Sequence, residues 1–345
     1  IRLPHREGAE MMSATRKAIV LSSIALVLAA CERPPVDTEQ YGFRGVAMGD
    51  VTNPRAEALE AGYPAALPAA PASGPKAGEV YENVQVLGDL SVGQFTRLMT
   101  SITQWVSPEE GCNYCHYPEN LADDGKYTKV VSRRMIQMTQ HVNGNWTDHV
   151  GNNGVNCYTC HRGKNVPEYI WFDEGDSTYG NSPFAGWRAG QNRPVEEVAY
   201  ATLPSDPFSR FQVSAQSDSV RIAGDDWRRA AVEPLTIKDA EYTYALMMNW
   251  SSSLGVNCTF CHNSRAFQNW ESSTPQRITA HYGLNMVRDL NGNYLVPLGP
   301  TYPDNRLGPH VGDAPKAYCA TCHQGLNKPL GGADAVSAYP SLGGR

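Results

Sequence analysis

The sequence predicts a mainly α-helical protein with extensive loop, built from two related halves. Apolar residues between Val92 and Trp105 recur with the three- and four-residue spacing of an amphipathic helix. Short patterns recur once along the chain: Leu98-Met99 returns as Leu246-Met247, and Asn-Gly-Asn occurs at 143–145 and at 291–293. The remainder is rich in Pro and Gly, with 24 and 31 residues, which favours loops.

Four copies of the pattern Cys-x-x-Cys-His lie at 112–116, 157–161, 258–262 and 319–323. This pattern is the attachment signature of c-type haem, in which two thiols bond to the haem and the adjacent His ligates the iron. Redox dithiols and zinc sites also use Cys pairs, but neither needs a His directly after each pair. Because the motifs use eight of the nine cysteines, we predict four covalently attached haem c groups. The predicted attachment residues are Cys112, Cys115, Cys157, Cys160, Cys258, Cys261, Cys319 and Cys322, and the proximal ligands are His116, His161, His262 and His323.

Composition argues against a nucleic-acid partner, because the 345-residue chain has a net charge of −6 and a pI near 5.9. The hydrophobic content of 41% and the mean hydropathy of −0.42 are modest for this length. We therefore expect the core to be built on porphyrin as much as on aliphatic side chains.

The N-terminal segment predicts export and a lipid anchor. Arg16 and Lys17 precede an apolar run that ends in Leu28-Ala29-Ala30-Cys31, which resembles a bacterial lipobox. The run is too short for an ordinary transmembrane helix. We predict lipidation of Cys31 and a location on the periplasmic face of the bacterial cytoplasmic membrane, where c-type haem is attached. The alternative is cleavage at a small-residue site, with Cys31 incidental.

The repeated patterns divide the chain into segments, and a pseudo-twofold axis is predicted to relate the two dihaem halves among them. The predicted segments are a leader and lipoprotein signal peptide (1–30), a lipid-anchored extended segment with little regular structure (31–90), a first dihaem half (91–165), a connecting segment that wraps the surface (166–235), a second dihaem half (236–330) and a C-terminal tail (331–345).

In each half the sequence predicts two helices, and each helix precedes a haem motif. For the first helix, Ser91 and Gln94 form a capping box and Pro108 ends the helix; its counterpart in the second half spans 239–250. The second spans 128–142, and its counterpart begins at Thr274-Pro275, a cap followed by Pro at the first helical position.

Residue types and spacing leave the choice of the sixth iron ligands open. Met99, Met135 and Met247 lie on the helices before His116, His161 and His262, where each can present sulfur to iron or simply pack in the core. The repeated Leu-Met pair favours ligation by Met99 and Met247. Aligning the Asn-Gly-Asn segments places Gly283 opposite Met135, so the fourth site needs another ligand. His149, His281 and His310 are open candidates, with Met286 a weaker one.

Several longer motifs resemble the tetrahaem cytochrome c subunit of purple-bacterial photosynthetic reaction centres, over nearly all of the chain after Cys31. They are Gly42-Phe43-Arg44-Gly45, Trp105-Val106-Ser107-Pro108, Arg133-Arg134-Met135, Asn145-Trp146-Thr147-Asp148-His149-Val150, Cys258-Thr259-Phe260-Cys261-His262-Asn263 and Ser273-Thr274-Pro275-Gln276-Arg277. The resemblance implies three His/Met haems and one bis-His haem. By position, Met99 serves the haem of His116, Met135 that of His161, Met247 that of His262 and His149 that of His323; His141, His281 and His310 are then not ligands.

The resemblance also implies electron transfer without enzymatic chemistry. The chain is expected to re-reduce the photo-oxidised bacteriochlorophyll special pair held by the membrane subunits. Its electrons are expected from a soluble periplasmic c-type cytochrome or a high-potential iron–sulfur protein. The expected haem order, starting at the special pair, is His262, His323, His161, His116. The alternatives are a free-standing periplasmic electron shuttle and a multihaem oxidoreductase, which needs an open iron position.

Charged residues suggest two further roles. Five acidic residues surround the first motif and are candidates for steering a basic soluble donor, or are an ordinary solvated loop. They are Glu109, Glu110, Glu119, Asp123 and Asp124. Candidate partners for haem propionates are Arg133, Arg134, Arg162 and, foremost, Arg277.

Overall fold

The computed structural model describes residues 37–41, 48–52, 62–175, 192–222 and 235–344, which are mainly helix and loop, as predicted. Cys31 and the 42–45 motif lie outside the described residues. In chain order the elements are β1 (Asp37–Tyr41), β2 (Met48–Thr52), α1 (Ala77–Val80), α2 (Val92–Val106), α3 (Tyr127–Asn145), α4 (Thr147–Val150), α5 (Cys157–His161), β3 (Asn192–Arg193), β4 (Leu203–Pro204), α6 (Phe208–Phe211), α7 (Ile237–Leu254), α8 (Pro275–Asp289) and α9 (Cys319–His323). β1 pairs with β2 and β3 with β4, both antiparallel. None of the described helices combines the length and apolarity needed to cross a bilayer.

The caps of the long helices follow the sequence closely. The Ser91 hydroxyl accepts a hydrogen bond from the Gln94 amide at 3.2 Å, which begins α2 as predicted. Pro275 is the first residue of α8. α7 is longer than the predicted 239–250, because Thr236 accepts from the Asp239 amide and caps the helix earlier. α3 likewise extends beyond the predicted 128–142.

Matching hydrogen bonds recur at positions that the sequence repeat relates. The Thr128 hydroxyl donates to the Tyr114 carbonyl at 2.6 Å, and the Thr274 hydroxyl donates to the Phe260 carbonyl at 2.5 Å. The Gly163 amide donates to the Trp105 carbonyl at 2.9 Å, and the Gly325 amide donates to the Ser253 carbonyl at 2.8 Å. Thr128, in the first turn of α3, and Thr274, the N-cap of α8, each tie the start of a helix to the preceding motif. Gly163 ties the turn after the second motif to α2, and Gly325 ties the turn after the fourth motif to α7.

Asn143 and Asn291 each anchor the segment that leads into the next haem motif. Asn143 donates to the Val155 carbonyl at 2.9 Å and accepts from the Val155 amide at 2.7 Å. Asn291 makes the same pair of bonds with Ala317, at 2.9 and 2.8 Å. Each asparagine therefore fixes the segment that leads into α5 or α9.

The connecting segment and the tail both contribute to the core. Phe208 and Phe211, in the segment predicted to wrap the surface, are only 3% and 1% exposed and pack with Leu246. In the tail, Tyr339 packs edge-on against Trp105 with ring centres 4.9 Å apart. The prediction that the connecting segment wraps the surface is therefore wrong for Phe208 and Phe211, because these aromatic side chains bury apolar surface that the long helices leave uncovered. The predicted extended segment 31–90 likewise contains strands β1 and β2 and the short helix α1.

Replacing Asn291 with Ala should lower the free energy of unfolding by roughly 2 kcal/mol, because it leaves buried amide and carbonyl groups without partners. Asn291 is fully buried, at 0% exposure. Denaturant unfolding of the holoprotein followed by circular dichroism measures the change. The exposed Asn113 provides the control, since Asn113→Ala should change stability little. Equal losses in both variants would contradict this role of Asn291.

Candidate haem-binding site

One cavity of about 1890 Å³ runs past all four Cys-x-x-Cys-His motifs. Pockets for a single small ligand usually measure roughly 300–1,000 Å³, so this cavity has room for several large groups. Its walls include apolar residues of the long helices, among them Ile102, Val131, Ile136, Leu284 and Leu290. The predicted sixth ligands Met99, Met135, Met247 and His149 also line it. A cavity with apolar walls and paired thiols fits covalently held porphyrin.

The four motifs adopt two local conformations. The first and third begin with 3₁₀ turns, Gly111–Tyr114 and Cys258–Phe260. The second and fourth form the single-turn helices α5 and α9. A residue with a left-handed backbone conformation follows each of these helices, Arg162 (φ 51°) after α5 and Gln324 (φ 50°) after α9. This residue ends the helix and reverses the chain directly after the histidine.

Every predicted histidine ligand donates its Nδ1 hydrogen to a backbone carbonyl. The pairs are His116 with Leu121, His161 with Lys164, His262 with Phe267 and His149 with Thr279, all at 2.9 Å, and His323 with Leu326 at 2.8 Å. A carbonyl can only accept, so the hydrogen lies on Nδ1 and the lone pair lies on Nε2. This arrangement is the one found in metal-binding histidines, where the second nitrogen fixes tautomer and ring orientation.

The environment of four of these rings favours the neutral imidazole that metals bind. Burial lowers the pKa of His149, His161 and His262 below the ordinary histidine value. Burial, together with the nearby His149, lowers the pKa of His323 to about 4. Burial also raises the pKa of the Cys157 thiol to about 12, as expected for a sulfur inside an apolar cavity.

His149 lies opposite His323 across the cavity. Their ring centres are 5.9 Å apart at an interplanar angle of 64°. Two imidazole–metal bonds of about 2 Å each, plus the distance from each nitrogen to its ring centre, span a similar separation. The His149 ring also lies against Gly283, where an added β-carbon would be 2.5 Å from its Cε1 atom. Aligning the two Asn-Gly-Asn segments of the chain identified Gly283 only as a position without a ligand. Its contact with His149 could not be predicted from the residues near it in the sequence.

The remaining histidines and Met286 are placed differently from His149. His141 uses both ring nitrogens, with Nε2 2.6 Å from Asp289 Oδ2 and Nδ1 accepting from Asn145 at 2.6 Å. The Nε2 atom of His281 is 3.2 Å from the Asn285 amide nitrogen. His310 is exposed, and Met286 is buried in a hydrophobic cluster with Val142 and Leu290. His149 alone among the three histidines left open lies opposite His323 in the part of the chain that the structure describes.

The three methionines combine core packing with cavity lining. Met99 packs against the cluster that contains Leu98 and Trp105, and Met247 packs against the cluster that contains Leu246. Both also reach the cavity, as does Met135. The next residue, Met248, packs instead against a separate cluster that contains Val198.

The second and fourth motifs meet at one junction. The α-carbons of Cys160 and Cys322 are 4.4 Å apart, and their sulfurs form a disulfide. Arg162 donates to the Cys322 carbonyl and Gln324 to the Cys160 carbonyl, each at 3.4 Å, so the contact is reciprocal. A disulfide and two thioethers compete for the same sulfurs, so haem attachment at these motifs requires both cysteines as thiols.

The arginines predicted to bind propionates are held differently. Arg277 lines the cavity, donates to the Asn269 carbonyl at 3.0 Å and lies 4.7 Å from the Trp270 ring centre. Arg133 forms a bidentate pair with Asp124, at 2.8 and 2.7 Å. Arg134 stacks over Tyr294 at 4.2 Å. The geometry therefore keeps Arg277 as the best propionate candidate among these three.

Comparison with known proteins gives a consistent result. Residues 32–343 match the family model described as photosynthetic reaction centre cytochrome C subunit. The photosynthetic reaction center cytochrome c subunit of Rubrivivax gelatinosus (strain NBRC 100245 / IL144) is 51% identical over 326 residues, covering 94% of this chain and 88% of the relative. That of Thermochromatium tepidum is also 51% identical, over 94% of this chain and 79% of the relative. Cytochrome c-554 of Chloroflexus aurantiacus is 27% identical over 72% of this chain and 69% of the relative. The chain therefore belongs to the family of photosynthetic reaction centre cytochrome c subunits.

Proposed function

We propose that this protein is the bound electron donor of a photosynthetic reaction centre, re-reducing the photo-oxidised special pair with electrons from a soluble periplasmic donor. Family membership makes the chain an electron-transfer component rather than an enzyme. It also implies covalently bound haem c and association with reaction-centre subunits at a membrane. The observation that carries the proposal is the single cavity lined by all four motifs and by a candidate sixth ligand for each.

The proposed cofactors are four haem c groups, three His/Met and one bis-His. Each motif's cysteines hold one haem through thioethers, with Cys160 and Cys322 as thiols beforehand, and each motif's histidine binds iron through Nε2. Met99, Met135 and Met247 supply sulfur opposite His116, His161 and His262, and His149 supplies nitrogen opposite His323. When bound, the haems supply one-electron redox chemistry. A methionine ligand raises the potential of haem iron, so we assign the His149–His323 site a lower potential than the His161 and His262 sites on either side of it, with potentials alternating along the row.

Two pseudo-twofold-related dihaem halves are the proposed organisation, with the segment boundaries predicted from the sequence. The matching hydrogen bonds of Asn143 and Asn291 support this arrangement. α5 and α9 contact each other, while α2 contacts α5 and α7 contacts α9. These contacts support a row in which the His161 and His323 sites are central and the His116 and His262 sites are terminal. We propose that the His262 end faces the special pair.

The His116 end carries the surface proposed for the soluble donor. Glu109, Glu119 and Asp123 flank the His116 motif in the sequence and are exposed, as is Leu121, at 61%. The Arg133 guanidinium holds the pKa of Asp124 well below its usual range, so that charge is already paired. The remaining carboxylates can steer a basic c-type cytochrome, and Leu121 offers apolar contact that suits a high-potential iron–sulfur protein.

A lipid anchor on Cys31 is proposed to hold the chain at the periplasmic face. Two or more acyl chains give stable membrane attachment without a transmembrane helix. The family's association with reaction-centre subunits adds a second contact with the membrane.

Flash spectroscopy on native membranes washed free of soluble cytochrome tests the function. A single flash should oxidise haem, seen as bleaching of the α-band, while the special pair recovers. Recovery of the special pair only after addition of a soluble donor would contradict the proposal and favour a free-standing shuttle.

Met247→Ala should open the iron at the His262 site, because alanine has no group that reaches a metal. The reduced variant should bind one equivalent of carbon monoxide per protein, measured by difference spectroscopy, whereas the wild type should bind none. Met248→Ala is the matched control, since the adjacent side chain packs against another cluster. Carbon monoxide binding by the wild type would favour an open-site oxidoreductase, and equal behaviour of both variants would remove Met247 as a ligand.

Glu119→Lys should slow electron transfer from a basic soluble cytochrome several-fold at low ionic strength, because it replaces attraction by repulsion. The difference should shrink as salt rises, since exposed charges are screened. Stopped-flow rates over a range of ionic strengths measure this. Asp148→Lys changes the same charge on α4, away from the first motif, and should have a smaller effect. Equal effects would show that net charge, not this surface, governs the encounter.

A further inference from the structure

Gly283 is an unfavourable residue for its position. It is buried within α8, eight residues after the helix begins. Glycine in a helix interior costs about 1 kcal/mol relative to alanine, and a glycine there usually has a packing or functional reason. Its φ is helical, so the reason is not backbone conformation but the space beside it.

The space beside Gly283 is filled by one imidazole. An added β-carbon would lie 2.5 Å from Cε1, 2.8 Å from Nδ1 and 3.1 Å from Nε2 of His149. Real β-carbons essentially never approach another heavy atom within 3.0 Å, so a side chain here would displace the ring. By contrast, Gly144 of α3 meets the backbone of Gly344, an ordinary close approach of two chain segments.

The same turn of α8 also orients the ring. His149 donates from Nδ1 to the Thr279 carbonyl at 2.9 Å. Thr279 precedes Gly283 by four residues, so this carbonyl also faces the Gly283 amide in the helical hydrogen-bond pattern. The turn from Thr279 to Gly283 therefore supplies both a notch for the imidazole and the acceptor that sets its tautomer.

We propose that Gly283 is a positioning residue that selects His149 as the second axial ligand of the haem held by His323. The inference rests on the ligation proposed above. Gly283 is the counterpart of Met135 in the repeat. In the first half, α3 supplies a methionine at this position. In the second half, α8 supplies a notch, which admits a histidine from the other half of the chain.

Gly283→Ala in the full-length, haem-loaded protein tests the proposal. Electron paramagnetic resonance of the oxidised protein and carbon monoxide binding to the reduced protein give the readouts. The variant should lose the bis-His signal and bind one equivalent of carbon monoxide, while the other haems keep their spectra. Gly93→Ala in α2 is the control, because its β-carbon meets Ala70 at an ordinary 3.5 Å and nothing closer. Retention of the bis-His signal in Gly283→Ala would overturn the proposal.

Gly283→Met provides a second, constructive test. A methionine here occupies the position equivalent to Met135 and should replace His149 as the ligand. The Met–iron charge-transfer absorption should grow by the contribution of one haem, and the midpoint potential of the His323 haem should rise. An unchanged midpoint potential of the His323 haem would overturn the proposal, and this variant gives the decisive result if Gly283→Ala does not assemble.

These readouts do not depend on a reaction centre. If flash spectroscopy shows no electron donation but Gly283→Ala removes the bis-His signal, the function fails and the positioning role stands. If the wild type has no bis-His haem, the positioning role fails whatever the flash experiment shows.

Discussion

The hydrogen bond from Nδ1 of each ligand histidine to a backbone carbonyl is the interaction on which the site depends. It fixes the tautomer and leaves Nε2 to face the cavity. The acceptor lies five residues beyond the histidine in the first and third motifs, at Leu121 and Phe267, and three residues beyond in the second and fourth, at Lys164 and Leu326. The loops after the motifs are thus part of the site, since their course determines where the carbonyls lie.

The cavity explains an otherwise poor hydrophobic core. The buried apolar residues in the described part of the chain form separate clusters, such as those around Trp105 and Phe211, rather than one continuous core. Met99 and Met247 each belong to such a cluster and also line the cavity. Porphyrin held in the cavity would join the clusters, so haem attachment and folding are expected to be coupled.

Features that depend on residues close together in the chain could be predicted from the sequence. The haem motifs, the cap at Ser91 and the start of α8 at Pro275 all depend on residues close together in the chain. The burial of Phe208 and Tyr339 was missed, because Pro- and Gly-rich segments have no periodicity that reveals a buried face. The choice of His149 stayed open without family resemblance, since it lies 174 positions before His323 and the two meet only through folding. The break at Gly283 was visible, but only the three-dimensional contact explains it.

In the proposed arrangement, four iron sites form one row, with the His149–His323 site inside it. An electron cryo-microscopy map of the complex with the reaction-centre membrane subunits would test this arrangement. We expect four haems in the order His116, His161, His323 and His262, with the His262 haem nearest the special pair and His149 and His323 on opposite faces of one iron. Fewer than four haems, or the His323 haem at either end of the row, would contradict it.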